Sequence, residues 1–366
     1  MLQGGGALGA YQAGVYEALA EAGELPDWIA GISIGAINAA LIAGNAPADR
    51  LPALRAFWDE ASSHLTIPAP AQDGPLRRWF NEGASAFAAL AGVPGFFTPR
   101  LPGPLLAMPG TAEATSWYDT APLRKTLAEL VDFDRINRAG LRFSAGAVQV
   151  LTGNFVYFDN RERVITPDHV MASGALPPGF PAVVIDGEPY WDGGLVSNTP
   201  LQYVLDSHRH GDCTVFQVDL FSARGPLPQT LADVAQREKD IRFSSRTRLN
   251  TDIARERKRV ADAARRLAAR LPAQLRDDPD LAILLRHDEA GAISIMHLIN
   301  RPETCESQGK DYEFSRQTIT EHWQAGREDT RRSLADPRWR RRRRHRTGIV
   351  TFDLCDTDSS SESEQP

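Results

Sequence analysis

Cysteine is scarce in this chain: Cys213, Cys305 and Cys355 are the three among 366 residues, and no two stand at a metal-ligand spacing. That excludes a disulfide scaffold and a cysteine zinc site, and it fits a reducing compartment. Lysine is scarcer relative to its partner cation, four against 37 arginines. The two carry the same charge, so the bias reads as genomic composition and not as function. No long apolar run is present either. The most hydrophobic window, Trp28 to Gly44, falls short of the ~20 residues a spanning helix needs and is broken by Ser33, Asn38 and glycines. The chain opens without a basic segment leading into an apolar one, so no signal peptide is read, and the expected location is cytoplasmic.

What is present suffices for a folded protein. With 42% hydrophobic residues and a formal net charge of −6, wholesale disorder is excluded, and the length suggests about two domains or one with a large appendage. The first ~220 residues alternate helix-like and strand-like signals, the pattern of an α/β layer architecture. The periodicity predicts a helix over Ala7–Ala22, a buried strand over Trp28–Ile32 and a helix over Ile34–Ala43. It also predicts a hairpin from Arg142–Leu151 and Phe155–Phe158, a helix start capped by Thr166 before Pro167, and a strand over Cys213–Phe221.

Residues 65–109 differ in texture. Eight prolines share the stretch with Trp79, Phe80, Phe87, Phe96, Phe97, Leu105 and Leu106, which predicts a lid-like insertion over a binding site. From Leu231 to Leu271 there are 12 Arg or Lys against 6 Asp or Glu on one long charged helix or a pair. A solvated helix is the expected reading, ahead of a basic helix lying on an anionic membrane. Beyond Pro337 the fold signals fade into a run with seven arginines between Arg338 and Arg346 and then an acidic, Ser-rich end. Residues 337–366 are expected to be a disordered tail and not a specific nucleic-acid site.

Three glycine-centred motifs sit at the turns of the α/β region. The first, Gly4-Gly5-Gly6-Ala7-Leu8-Gly9, precedes a helix and would expose successive backbone amides, an anion site. A dinucleotide fingerprint would need an acidic residue at the end of the next strand, but that strand ends in Ser33, so the dinucleotide reading fails. The second, Gly31-Ile32-Ser33-Ile34-Gly35, is a G-x-S-x-G at a strand-to-helix junction, the pattern that presents a serine nucleophile on a strained turn. A serine hydroxyl needs a base, and the third motif, Asp192-Gly193-Gly194, places a carboxylate at the end of a short hairpin.

Taken in order, these motifs resemble those of the bacterial branch of the patatin-like phospholipase family. Ala10-Tyr11-Gln12-Ala13-Gly14, Ala172-Ser173-Gly174-Ala175-Leu176-Pro177-Pro178 and Asn198-Thr199-Pro200 add to the resemblance, which covers about residues 1–221. Behind it, the stretch Lys310 to Arg316 resembles an uncharacterised extension of some bacterial members, and no chemistry comes with that match. The resemblance implies a three-layer α/β/α fold with a mainly helical C-terminal extension over 222–336. It also implies a serine acyl hydrolase with lipid ester substrates, peripheral membrane contact, and neither metal nor cofactor. Ser33 would be the nucleophile and Asp192 the base. Gly4, Gly5, Gly6, Gly9 and Ile34 would supply the oxyanion hole, while Gly31, Gly35, Gly193 and Gly194 shape the motifs.

Two departures stand out. Leu8 occupies a position where family members often carry a basic residue, and only Met1–Gln3 precede the glycine loop where a hydrophobic strand is usual. A misplaced start, leaving the sheet short of a strand, is the expected reading of the second. Two other readings use the same serine: acyl transfer, with His169, His208 or His210 reaching Ser33, and a Ser–His–Asp hydrolase through Ser33, Asp192 and His208 or His210. A storage or scaffold protein is the non-enzymatic reading, disfavoured by the intact motifs.

Overall fold

The computed structural model describes residues 1–70, 74–138, 140–207, 211–244, 247–272, 278–285, 292–301, 309–342 and 348–354. Strands are β1 (Trp28–Ile32), β2 (Thr98–Pro99), β3 (Tyr118–Asp119), β4 (Arg142–Gln149), β5 (Phe155–Asp159), β6 (Val183–Ile185), β7 (Glu188–Asp192), β8 (Cys213–Asp219), β9 (Ala292–Ile299) and β10 (Gly348–Asp353). The first helices are α1 (Ala10–Glu21), α2 (Ile34–Ala43), α3 (Arg50–Ala61), α4 (Pro75–Ala91), α5 (Ala121–Leu130), α6 (Phe133–Arg138) and α7 (Pro167–Ser173). After them come α8 (Leu201–Ser207), α9 (Leu231–Phe243), α10 (Thr247–Ala268), α11 (Pro279–Leu284), α12 (Arg316–Ala335) and α13 (Pro337–Arg340). They form two compact units, each assembled from three separate stretches of chain.

The first unit comprises Met1–Pro200, Val218–Ser245 and Ile299–Arg331. Its sheet runs β1-β4-β7-β6, with β5 also paired to β4. β1 lies parallel to β4, with Trp28 opposite Arg142 and Ile32 opposite Gly146, while β5 and β7 run antiparallel to β4. Helices cover the sheet on both faces in a three-layer α/β/α arrangement, and α2 is its hub. All ten α2 residues are buried, which is why its sequence is apolar all round and not striped. The β6–β7 hairpin turns at Asp186 and Gly187, both at positive φ (53° and 83°), and so delivers Asp192 to the sheet interior.

The place of a strand before the glycine loop is taken by Met1–Gln3. The Leu2 amide donates to Ala30 O (2.8 Å) and its carbonyl accepts from Ile32 N (3.1 Å), while Val218 N donates to Met1 O (3.0 Å). Leu2 thus bridges β1 at Gly31 and the chain at Val218.

The third stretch of this unit returns to the first. Gly14 of α1 and Gly326 of α12 meet at a helix crossing so close that a Cβ on Gly14 would collide with the Trp323 carbonyl, and one on Gly326 with the Tyr11 carbonyl. Tyr11 Oη donates to Asp329 (2.8 Å), and Arg327 and Arg331 both pair with Glu21.

α4 is turned inside out. Its buried side carries Arg77, Asn81 and Ser85, whereas Leu76, Trp79 and Leu90 stand 73%, 79% and 81% exposed. Arg77 explains the inversion: its guanidinium donates to Glu321, Thr318 and Asn81, and Ser85 Oγ donates to Gly309 O. The lid reading of 65–109 therefore needs revision at Phe96 and Phe97. Both are buried in an aromatic cluster with Phe57, Tyr118, Phe180 and Phe314 and line the cavity from there, a packed wall in place of an exposed lid.

The second unit comprises Leu201–Gln217, Arg246–Leu298 and Arg332–Pro366. It holds α8, α10, α11 and α13 and a three-stranded sheet in the order β10-β9-β8, with β10 parallel to β9. The C-terminal region is thus mainly helical but also carries β9 and β10, which the sequence reading left unassigned. Part of the expected disordered tail is folded. Trp339 of α13 is buried between Phe216 (5.5 Å) and Phe352 of β10 (5.3 Å), a hydrophobic anchor the arginine run concealed. Cys305, Cys355, His208, His210, Arg343–Arg346 and the acidic end lie outside the described residues.

Candidate active site

β1 stops at Ile32 and α2 begins at Ile34, so Ser33 alone makes the turn. Its backbone sits at φ 55°, ψ −125°, a region costly for a non-glycine residue. The flanking glycines explain how the chain accommodates it: a Cβ on Gly31 would collide with Gly35 O, and one on Gly35 with Leu2 O. Ser173 completes the support. Its Oγ accepts from Ser33 N (3.0 Å) and donates to Gly146 O (2.6 Å), tying the turn to β4.

Asp192 ends β7 and is 2% exposed. Its carboxylate accepts from the Gly194 amide (2.7 Å), and the Ser33 hydroxyl is near enough to favour its charged form. Burial pushes its pKa up from 3.8 to about 7, against the opposing pull of Ser33 and the Gly194 amide. A carboxyl group poised near neutrality beside a serine hydroxyl is suited to exchange a proton with it. Among the described residues, no histidine lines the cavity that holds Ser33 and Asp192.

The glycine loop lies beside this pair. Asn198 Nδ2 donates to Gly4 O (3.0 Å) and Phe243 O (3.1 Å), which holds Gly4 against Ser33. Gln3 fixes the loop from the other side, donating to Phe243 O (3.0 Å) and accepting from Phe221 N (3.0 Å). Gly6 adopts φ 56°, and a Cβ there would collide with the Asp311 carbonyl. Gly4, Gly5, Gly6, Ser33, Ile34, Asp192 and Gly194 all line one cavity. The amide of Ile34, at the first turn of α2, has no intrahelical acceptor and adds to the donors available there.

Gly9 is not brought to this cavity. Its carbonyl accepts from Asn38 Nδ2 (2.9 Å) and its Cα abuts Ile34, so the oxyanion-hole expectation is corrected at that position to a packing role. Gly31, Gly35 and Gly193 shape turns behind the cavity without lining it. Leu8 is fully buried, which accounts for an apolar residue where a basic one is frequent. His169 is committed elsewhere. Its Nδ1 accepts from Thr166 N (3.0 Å), its ring packs on Phe158, and burial lowers its pKa to about 4.

Of the rest of the wall, Phe96 and Phe97 belong to the insertion that the sequence placed over a binding site, and the other residues have no such precedent. Phe96, Phe97, Phe180, Phe221, Phe243 and Phe314 make it apolar, and Tyr312 and Asp311 complete it. Ser173 and Asn198 stood in recognised stretches, but a local stretch does not reveal which backbone group a side chain will hold. Phe243, Tyr312 and Phe314 arrive from far along the chain and left no local signal.

A family model described as patatin-like phospholipase matches residues 1–205, and a second, described as patatin phospholipase, matches residues 241–346. No curated protein matches the chain. Among solved structures, the crystal structure of VipD from Legionella pneumophila aligns at 15% identity and a TM-score of 0.35, covering 90% of this chain and 65% of that one. The first model alone spans more than half of the sequence, and the chain belongs to the patatin-like phospholipase family.

Proposed function

We propose that this chain is a serine acyl hydrolase that cleaves lipid esters through Ser33 and Asp192. The observation that carries the reading is that Ser33, on its strained turn, and a buried Asp192 line the same apolar cavity beside the glycine loop. In its ionised form Asp192 accepts the Ser33 proton as Oγ attacks the acyl carbonyl. The developing oxyanion meets backbone amides of the Gly4–Gly6 loop and of Ile34, donors worth roughly 2.7–4 kcal/mol each in comparable sites. Collapse expels the alcohol, which takes its proton from Asp192, and leaves an acyl-Ser33 ester. Water then attacks that ester with Asp192 again as base, which releases the fatty acid and restores the pair. Acyl transfer to another acceptor would share the first half. No described histidine lines the cavity to favour a triad.

The test is labelling with a fluorophosphonate alongside hydrolysis of a soluble ester. Ser33→Ala should lose both, and Asp192→Asn should lose turnover by a factor of at least about 10³. Because the two act as a unit, the double variant should be little worse than either single one. Near-wild-type turnover by Asp192→Asn would refute the dyad.

A further inference from the structure

The wall of the cavity contains few polar side chains, and most are already committed. Both Asn198 amide hydrogens go to backbone carbonyls, and the Asp311 carboxylate pairs with Lys239 (2.5 Å). Tyr312 differs. Its hydroxyl makes no hydrogen bond to any described residue and stands near Gly179, and Tyr312 lines the cavity together with Ser33 and Asp192.

The turn that carries Tyr312 is held rigidly. Lys310 pairs with Asp240 of α9 (2.7 Å) and stands 5.3 Å over the Phe221 ring, and Tyr312 N donates to Gly309 O (2.8 Å). On the inner side, the Asp311 carbonyl fills the space that only a glycine at position 6 leaves open. The segment C-terminal to the first family match therefore presses on the glycine loop and sets a neutral phenol in the cavity wall. Burial, helped by the charges of Asp311 and Asp192, raises the pKa of that phenol, so it remains a donor at any working pH.

We propose that Tyr312 is a substrate-contacting donor of this active site, its O–H hydrogen-bonded to the alkoxy oxygen of the ester bound at Ser33. The proposal rests on the Ser33–Asp192 reading and extends it. The Gly4–Gly6 amides serve the carbonyl oxygen, which leaves the alkoxy side to be met by another group of the cavity wall. Asp192 must protonate that oxygen as the C–O bond breaks, and the phenol lies within electrostatic reach of Asp192. Tyr312 transfers no proton. It keeps its hydrogen and lowers the basicity of the departing oxygen until Asp192 delivers one, so only the alkoxide's hydrogen bond strengthens along the step.

Tyr312→Phe in the full chain removes the hydroxyl and retains the ring, and the lost group has no protein partner whose absence would unfold the wall. Two esters with the same acyl chain separate the roles: a p-nitrophenyl ester, whose leaving oxygen needs little help, and an alkyl ester, whose oxygen needs much. The expected result is a fall in kcat/KM of roughly tenfold or more on the alkyl ester and less than about threefold on the p-nitrophenyl ester, with unchanged melting temperature and fluorophosphonate labelling. Equal losses on both esters, or no loss on either, would overturn the proposal. Ser33→Ala is run in parallel. Retained hydrolysis there would refute the dyad and this role together, whereas abolished hydrolysis with a flat Tyr312→Phe result would refute the role of Tyr312 alone.

Discussion

Asp192 carries its proton to an unusually high pH because water is kept from it, and this has two measurable effects. In the proposed dyad Asp192 must be ionised to accept the Ser33 proton, so kcat/KM should fall about tenfold per pH unit below ~7 and level off above, provided the substrate does not titrate. A profile flat down to pH 5 would contradict the dyad. Stability should respond in the opposite sense. In the unfolded chain the carboxyl ionises near 3.8, whereas in the fold it does so at about 7, so between these values the native state retains a proton the unfolded state has lost. Its contribution therefore declines as pH rises across that window and is most unfavourable above 7. Asp192→Asn should be more stable than wild type by roughly 2–4 kcal/mol at pH 8, with the gain vanishing near pH 4 in denaturant titrations. Such a stability–activity conflict at one residue is a signature of a group placed for chemistry. The residues in conflict were the legible ones. Ser33 and Asp192 could be read from sequence because their turns demand glycines at fixed spacing, and a demand on the backbone leaves a motif.

At the level of elements the sequence was less transparent, and the insertion shows why. Its prolines and aromatics suggested a mobile lid, but composition cannot say which face of a helix is turned inward. α4 buries Arg77 because Glu321 and Thr318, some 240 positions later, wait for it, and its apolar stripe is left outside. Substitutions should separate the two apolar populations. Phe97→Ser, at a position 1% exposed in the aromatic cluster, should cost about 3–5 kcal/mol and lower the melting temperature. Trp79→Ser, at a position 79% exposed, should stay within about 0.5 kcal/mol of wild type. Thermal scans showing the reverse order would mean that the α4 faces are misassigned. The local elements themselves were well read. The β1–Ser33–α2 junction and the β6–β7 hairpin fall where periodicity and turn chemistry placed them, since both rest on contacts within a few residues.

The whole molecule is organised by contacts that sequence patterns do not display. The first unit is made of three stretches, and its last returns to pack α12 against α1 at Gly14 and Gly326. Gly326→Ala should force the two helices apart, at a cost of about 1–3 kcal/mol or more, and should reduce activity as well as melting temperature because the same stretch carries Tyr312 and Phe314. A variant that loses stability but keeps full turnover would show that α12 and the cavity wall are uncoupled. The closure of this unit also fixes an order of events during synthesis. The Gly4–Gly6 loop and Ser33 emerge early, whereas the turn at Lys310–Tyr312 that presses on Gly6 is made roughly 300 residues later, about 15–60 s at 5–20 residues per second. For that interval a growing chain holds its nucleophile beside an unfinished wall. Under the proposed function, the cavity is complete only once the last part of the first unit has left the ribosome.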